Sequence, residues 1–166
     1  LWSIYRDDRA LYLDRWQKFM LLVLAKGSPG KPAWQEAKDL VAAWGGRAAV
    51  DSQGYRLVRG FRAFVLNLLF QPVNERLSHY DKAMRFSNED AAWALLSARP
   101  AHLLNPAFLT YDGLLEKAVD LLLADLKGHG IPLAQATWGS RNHLEIRHPL
   151  SQAVPQLSRW LDMPDA

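Results

Sequence analysis

Apolar side chains recur at helical spacing through most of the chain, and the first such stripe predicts an amphipathic helix over about residues 7–26. Its apolar positions follow the i, i+4, i+7, i+8, i+11 pattern that lines one helical face, namely Tyr12, Trp16, Phe19, Met20 and Val23. A Gly-Ser-Pro-Gly sequence at residues 27–30 then ends this helix, because glycine suits the position after a helix and proline cannot continue one.

Further helices follow the same pattern. Pro32 suits the first position of the second helix, which ends at a Gly-Gly pair after Trp44. Asp51 or Ser52 can cap the third helix, which we expect to end near Pro72. The remaining helices are predicted over about residues 89–99, 112–127 and 155–161.

One segment alternates like a strand. Between residues 142 and 148, Leu144 and Ile146 alternate with Glu145 and Arg147, within a strand-like segment at residues 137–151. The predicted fold is therefore mainly α, a single domain over residues 1–166 built as a bundle of about five to six helices with a short C-terminal β element. Tryptophans 16, 34, 44 and 93 fall on core-facing helical positions, which favours packing over base stacking.

Composition narrows the class of protein. The 166 residues include no cysteine, which excludes a disulfide scaffold, a thiolate metal site and a cysteine nucleophile. Twenty Lys+Arg against 17 Asp+Glu give a formal charge of +3, with both signs interspersed, so we expect no nucleic-acid partner. The longest apolar run, residues 19–25, is too short to cross a bilayer, so we expect no membrane partner.

The sequence contains no set of catalytic or metal-binding residues that would form a complete active site by itself. His143 and His148 lie five residues apart in the predicted strand and would point to opposite faces, so they do not form a metal pair. The serines lack a nucleophile-elbow motif, and no glycine-rich phosphate loop is present. We therefore assign no catalytic, cofactor-binding or metal-binding residue.

Arginines form a stripe on the third predicted helix. Arg56, Arg59 and Arg62 recur at i, i+3, i+6, and Arg47 lies just ahead of them. Their guanidinium groups can pair with Asp51 or with carboxylates of neighbouring helices, which is the favoured interpretation. The alternative is a stand-alone helical binding module that uses this arginine-rich face for an anionic partner.

Three stretches of the chain carry a resemblance to a known family. The first is residues 44–52 running into 54–62, the second is 137–142 continuing through 146–151, and the third is 161–164. Their characteristic residues are Trp44, Arg47, Asp51, Ser52, Tyr55, Arg56, Arg59, Arg62, Trp138, Gly139, Asn142, His148 and Pro149. Together with an Asp-Arg-Ala opening at residues 8–10, they resemble the β subunit of the penicillin acylase (penicillin amidase) family of N-terminal nucleophile hydrolases.

The resemblance implies an enzyme that hydrolyses acyl-amide bonds, such as those of penicillin antibiotics, after self-cleavage into an α/β heterodimer. Its nucleophile would be an N-terminal Ser activated by its own α-amino group. Leu1 cannot fill that role. The resemblance places the nucleophile, the oxyanion donors and any calcium ligands of the parent outside this chain.

We therefore expect an excised helical piece from the later part of the β subunit that is inactive by itself and holds no cofactor. Its partner would be the remainder of the parent heterodimer, and the parent would act on a small-molecule acyl-amide. By the same resemblance the parent would be periplasmic, and the motif residues would have structural roles.

Overall fold

Eight α-helices occur in the part of the chain that the computed structural model describes, residues 7–27, 29–142 and 146–163. In chain order they are α1 (Asp14–Gly27), α2 (Pro32–Ala42), α3 (Gln53–Leu77), α4 (Glu89–Ala98), α5 (Tyr111–Gly128), α6 (Trp138–Arg141), α7 (Pro149–Ala153) and α8 (Ser158–Leu161). Helices account for 67% of the structure, which confirms the mainly α prediction. The count exceeds the expected five to six because of α6 and α7, two helices of four and five residues that the sequence did not predict.

Local caps begin the helices close to where the sequence predicts. Ser52, rather than Asp51, caps α3, with its Oγ accepting from Tyr55 N at 3.1 Å. The Asn88 side chain caps α4, and Pro32 is the first residue of α2. The starts of α2, α3 and α4 are thus each specified by a residue at or next to the start.

The predicted start of the first helix is wrong, because residues 8–10 pair with another segment. Ala10 N donates to Gly46 O, and Ala48 N donates to Asp8 O, each at 2.8 Å. These bonds hold Asp8 and its neighbours extended. A short 3-10 turn, Leu11–Leu13, then leads into α1.

The predicted end of the third helix is also wrong, since α3 continues through Pro72 to Leu77. Proline lacks the N–H that would bond the carbonyl four residues earlier, which is that of Leu68. The buried side chain of Asn105 supplies the missing donor, with Nδ2 lying 2.8 Å from Leu68 O. A distant amide therefore allows the helix to pass a residue that usually ends one.

The core lies where α1, α2, α3 and α5 pack together, with α4 covering one side. Trp16 is fully buried in contact distance of Phe61 and Trp93, with ring centroids 6.3 and 4.4 Å away. Trp34 and Trp44 are also buried, and Trp93 is partly buried. These positions confirm the prediction that the four tryptophans pack in the core.

Short helices flank the C-terminal residues 142–148 for which the sequence predicts a strand, and the structure does not show that strand. Within residues 137–151, α6 and the start of α7 are helical, and residues 146–148 are irregular. His148 caps α7, with Nδ1 accepting from Leu150 N at 3.1 Å, and Pro149 is its first residue, so the extended chain ends there. Residues 143–145 lie outside the described ranges, and a strand at that point stays a prediction.

No helix in the described ranges is both long and apolar enough to cross a membrane.

Candidate functional site

The first two motif stretches meet through backbone hydrogen bonds at what we call the motif junction, residues 50–56 and 137–140. Trp138 N donates to Ser52 O at 3.0 Å, and Gly139 N donates to Val50 O at 2.7 Å. A Cβ on Gly139 would lie 2.5 Å from Val50 Cγ1 and 3.0 Å from Val50 O. The close approach therefore favours glycine at position 139, because a larger residue would displace the Val50 side chain and crowd the Val50 carbonyl.

Side chains of α3 complete the motif junction. The Tyr55 ring meets Trp138 edge to face, with centroids 4.9 Å apart. Arg56 is only 6% exposed, and its Nη1 donates to Thr137 O at 3.2 Å and to Ser140 Oγ at 2.7 Å. Both acceptors are neutral, so these bonds orient the Arg56 guanidinium without balancing its charge.

Arg47 connects the junction to the start of the described chain. It forms an ion pair with Asp8 and a β-bridge with Arg9, while its carbonyl accepts from Trp44 Nε1 at 2.7 Å. The carboxylate partner is thus Asp8. Asp51, which the sequence offered as a partner of the arginine stripe on α3 and as a cap of that helix, is exposed and caps no helix.

Arg62 pairs with a neighbouring helix, as the favoured interpretation of the arginine stripe requires. Its Nε lies 2.9 Å from Glu89 Oε2, and the same carboxylate accepts from Trp16 Nε1. Burial raises the pKa of Glu89, but the hydrogen bonds from Arg62 and Trp16 lower it more, so the net pKa lies below its usual value.

Arg56 and Arg59 do not follow that interpretation. Arg59 Nη1 donates to the hydroxyls of Tyr12 and Tyr55 at 3.3 and 3.2 Å, and its guanidinium lies 4.9 Å from the centre of the Trp138 ring. Neither hydroxyl is an ion-pair partner. The stripe therefore divides into one neutralised arginine and two that have neutral acceptors.

These arginines line a cavity of about 610 Å³ between α3, α5 and α6, which we call the arginine groove. Its wall also includes Tyr12, Leu122, Asp125, Trp138 and Arg141. Sequence reasoning missed Arg141 and Asp125 as groove residues. Arg141 lies within the second motif stretch, but its proximity to the α3 arginines depends on the Gly139 contact with Val50.

The third motif stretch closes onto the end of the second. Asp162 Oδ1 accepts from His148 N at 2.8 Å and from Ser151 Oγ, and these two bonds lower the pKa of Asp162. Met163 N donates to Ile146 O at 3.1 Å. The Ser, His and Asp side chains do not form a catalytic triad, because His148 Nδ1 accepts a bond from the backbone of its own helix instead of donating to Asp162.

Asn142 contributes through its backbone, with its N–H donating to Trp138 O at 2.9 Å at the end of α6. Among residues 7–27, 29–142 and 146–163, no three His, Asp or Glu side chains are grouped as metal ligands. His143 and Pro164 lie outside those ranges.

The family model for penicillin amidase matches residues 1–164. This chain belongs to the penicillin amidase family. A search of curated proteins gives no match. In this member of the penicillin amidase family, a family of N-terminal nucleophile hydrolases, the motif residues at the junction hold backbone segments together and cap helices.

Proposed function

We propose that this chain is a non-catalytic helical domain of an amidohydrolase, whose complete protein hydrolyses an acyl-amide C–N bond with an N-terminal Ser outside residues 1–166. The observation that carries the proposal is the penicillin amidase match over residues 1–164 on a mainly helical fold. Membership of a hydrolase family supports the reaction class, and the structural engagement of the motif residues supports the scaffolding role.

The serine hydroxyls and the His148 imidazole make hydrogen bonds that hold the local fold, which supports this assignment. Ser52 caps α3, Ser140 accepts from Arg56, and Ser151 bonds Asp162. A serine nucleophile needs a base positioned to take its proton, and an N-terminal Ser uses its own α-amino group for that purpose. The nucleophilic Ser and its base, the α-amino group of the same residue, would therefore both lie in another part of the parent.

Within the parent, the helical bundle would pack on the nucleophile domain, and the segment over residues 138–150 would reconnect to the sheet-containing core. Its partner would be the remainder of a processed α/β heterodimer. Periplasmic location and calcium bound by ligands outside this chain are further parts of the proposal. The substrate would be a small-molecule acyl-amide.

The test compares this chain with its full-length parent on a chromogenic phenylacetyl anilide. We expect turnover by the parent, loss of turnover when its N-terminal Ser is replaced by Ala, and no turnover above buffer by residues 1–166. Turnover by this chain alone would overturn the non-catalytic assignment. A correctly processed parent that hydrolyses none of a panel of aliphatic and aromatic acyl anilides would overturn the amidohydrolase assignment.

A further inference from the structure

Three guanidinium groups in the arginine groove have no ion-pair partner among the described residues. Glu89 neutralises Arg62, but no carboxylate oxygen in the described ranges lies within 4.0 Å of a side-chain nitrogen of Arg56, Arg59 or Arg141. The groove therefore concentrates positive charge on a chain whose charges are otherwise interspersed.

Arg56 is the most buried of the three arginines, so leaving its charge without a counter-charge costs more free energy than it does for Arg59 or Arg141. A buried charge is stable only when paired and hydrogen-bonded, and Arg56 has hydrogen bonds to neutral acceptors without a counter-charge. Burial and the nearby charge of Arg141 both lower the pKa of Arg56, while Asp125 acts in the opposite direction. A bound anion would supply the missing counter-charge.

The groove has the size and the mixed lining of a small-molecule site. Its volume of about 610 Å³ falls within the ~300–1,000 Å³ typical of ligand pockets. Trp138, Phe64 and Leu122 give it apolar walls beside the guanidinium groups. Apolar walls with convergent polar groups suit an organic ligand better than a bare inorganic ion.

Two features narrow the charge and shape of that ligand. The planar fork of a guanidinium matches a planar carboxylate, with which it forms paired N–H···O bonds. Asp125 also lines the groove and would repel a dianion more than a monoanion.

We propose that the arginine groove binds a small organic monocarboxylate, with its carboxylate held by Arg56, Arg59 and Arg141 and its apolar part lying against Trp138 and Leu122. The inference is independent of the proposed function, because every residue that carries it lies in this chain. It also differs from the nucleic-acid or heparin surface that an arginine stripe alone would suggest, since the site is a groove of limited volume.

The experiment titrates residues 1–166 with benzoate by isothermal calorimetry, with neutral benzamide and inorganic sulfate in parallel. We expect saturable one-to-one binding of benzoate that weakens as sodium chloride is added, and weaker binding of the other two probes. Arg141→Gln and Arg59→Gln are each expected to lower benzoate affinity roughly tenfold or more, because each removes a charged hydrogen-bond donor.

Arg76→Gln is the matched control, because Arg76 is exposed on α3 outside the groove and the substitution removes the same charge. It should leave benzoate affinity unchanged. Circular dichroism establishes that each variant is folded, and Arg59→Gln replaces Arg141→Gln if the latter does not fold. The proposal is overturned if benzoate does not saturate, if benzamide or sulfate binds as tightly, or if Arg76→Gln weakens binding as much as the groove variants.

Discussion

Gly54 in the first turn of α3 lies against the end of α2, and we predict that Gly54→Ala destabilises the chain. A Cβ built at this position would overlap Trp44 Cβ and would stand 2.9 Å from the backbone oxygen of Leu40. Trp44 is buried and Leu40 O belongs to the helix backbone, so neither obstacle is the mobile end of a side chain. The two helices would have to move apart.

The size of the effect follows from two opposing terms. Overpacking a well-packed site costs about 1–3 kcal/mol, and a backbone obstacle places Gly54→Ala toward the upper end. Alanine is favoured over glycine in a helix by at most about 1 kcal/mol. The expected net loss is about 2 kcal/mol, which for a chain of this length lowers the melting temperature by roughly 4–8 °C.

Urea and thermal unfolding followed by circular dichroism measure this loss, with two other glycines as controls. At Gly128, the last residue of α5, a Cβ would meet nothing within 4 Å, so Gly128→Ala should be neutral or stabilise the chain by up to ~1 kcal/mol. At Gly60 the obstacle is the side-chain end of Leu122 at 2.6 Å, so Gly60→Ala should fall between the two. A Gly54→Ala variant as stable as wild type would refute the packing argument.

Three further predictions use the caps and ion pairs. Ser52→Ala should cost about 1 kcal/mol in urea unfolding by removing the α3 cap, whereas Asp51→Ala at the adjacent exposed position should change little. Glu89 has a folded-state pKa below its usual 4.5, so its stabilisation is complete above that value and is lost as the pH falls through the lower folded value. Stability should therefore fall less steeply below pH 4.5 in Glu89→Gln than in wild type. Asp162→Ala should speed amide hydrogen exchange in residues 146–163 and leave α1 to α5 unchanged.

Each of these has a contradicting result. Equal losses in Ser52→Ala and Asp51→Ala would show that the Ser52 hydroxyl does not hold the start of α3. An unchanged acid slope in Glu89→Gln would remove the ion pair with Arg62 as a source of stability. Unaltered exchange in Asp162→Ala would mean that other contacts hold the C-terminal segment.

The starts of α2, α3 and α4 could be predicted because their signals are local, whereas the start of α1 and the end of α3 could not. Ser52 and Pro32 act on backbone groups within three residues of themselves. The continuation of α3 through Pro72 depends on Asn105, which lies far along the chain and bonds the carbonyl that Pro72 leaves free. Periodicity identifies neither this long-range bond nor the pairing of Asp8 with Ala48 that delays α1.

In the candidate site, too, features that depend on local spacing could be predicted, and contacts between distant segments could not. The stripe of arginines on α3 follows from spacing alone, and the ion pair of Arg62 with a neighbouring helix was the favoured interpretation. The ion pair of Arg47 with Asp8 could not be predicted, because Asp8 approaches Arg47 only through the paired backbone of residues 8–10 and 46–48. Arg141 lines the groove because the hydrogen bond from Gly139 N to Val50 O holds α6 beside that segment.

The motif junction and the arginine groove share residues, and this explains how one motif can serve both packing and binding. Trp138 bonds Ser52 through its backbone N–H and presents its ring to Tyr55 and Arg59, so the same residue anchors α6 and forms a groove wall. Backbone bonds tolerate a change of side chain, whereas a change of side chain in the groove alters its charge or its apolar wall. Groove residues outside the junction, such as Arg59, Leu122 and Arg141, can therefore be changed while the backbone bonds are kept, whereas a change at Arg56 or Trp138 alters the junction and the groove together.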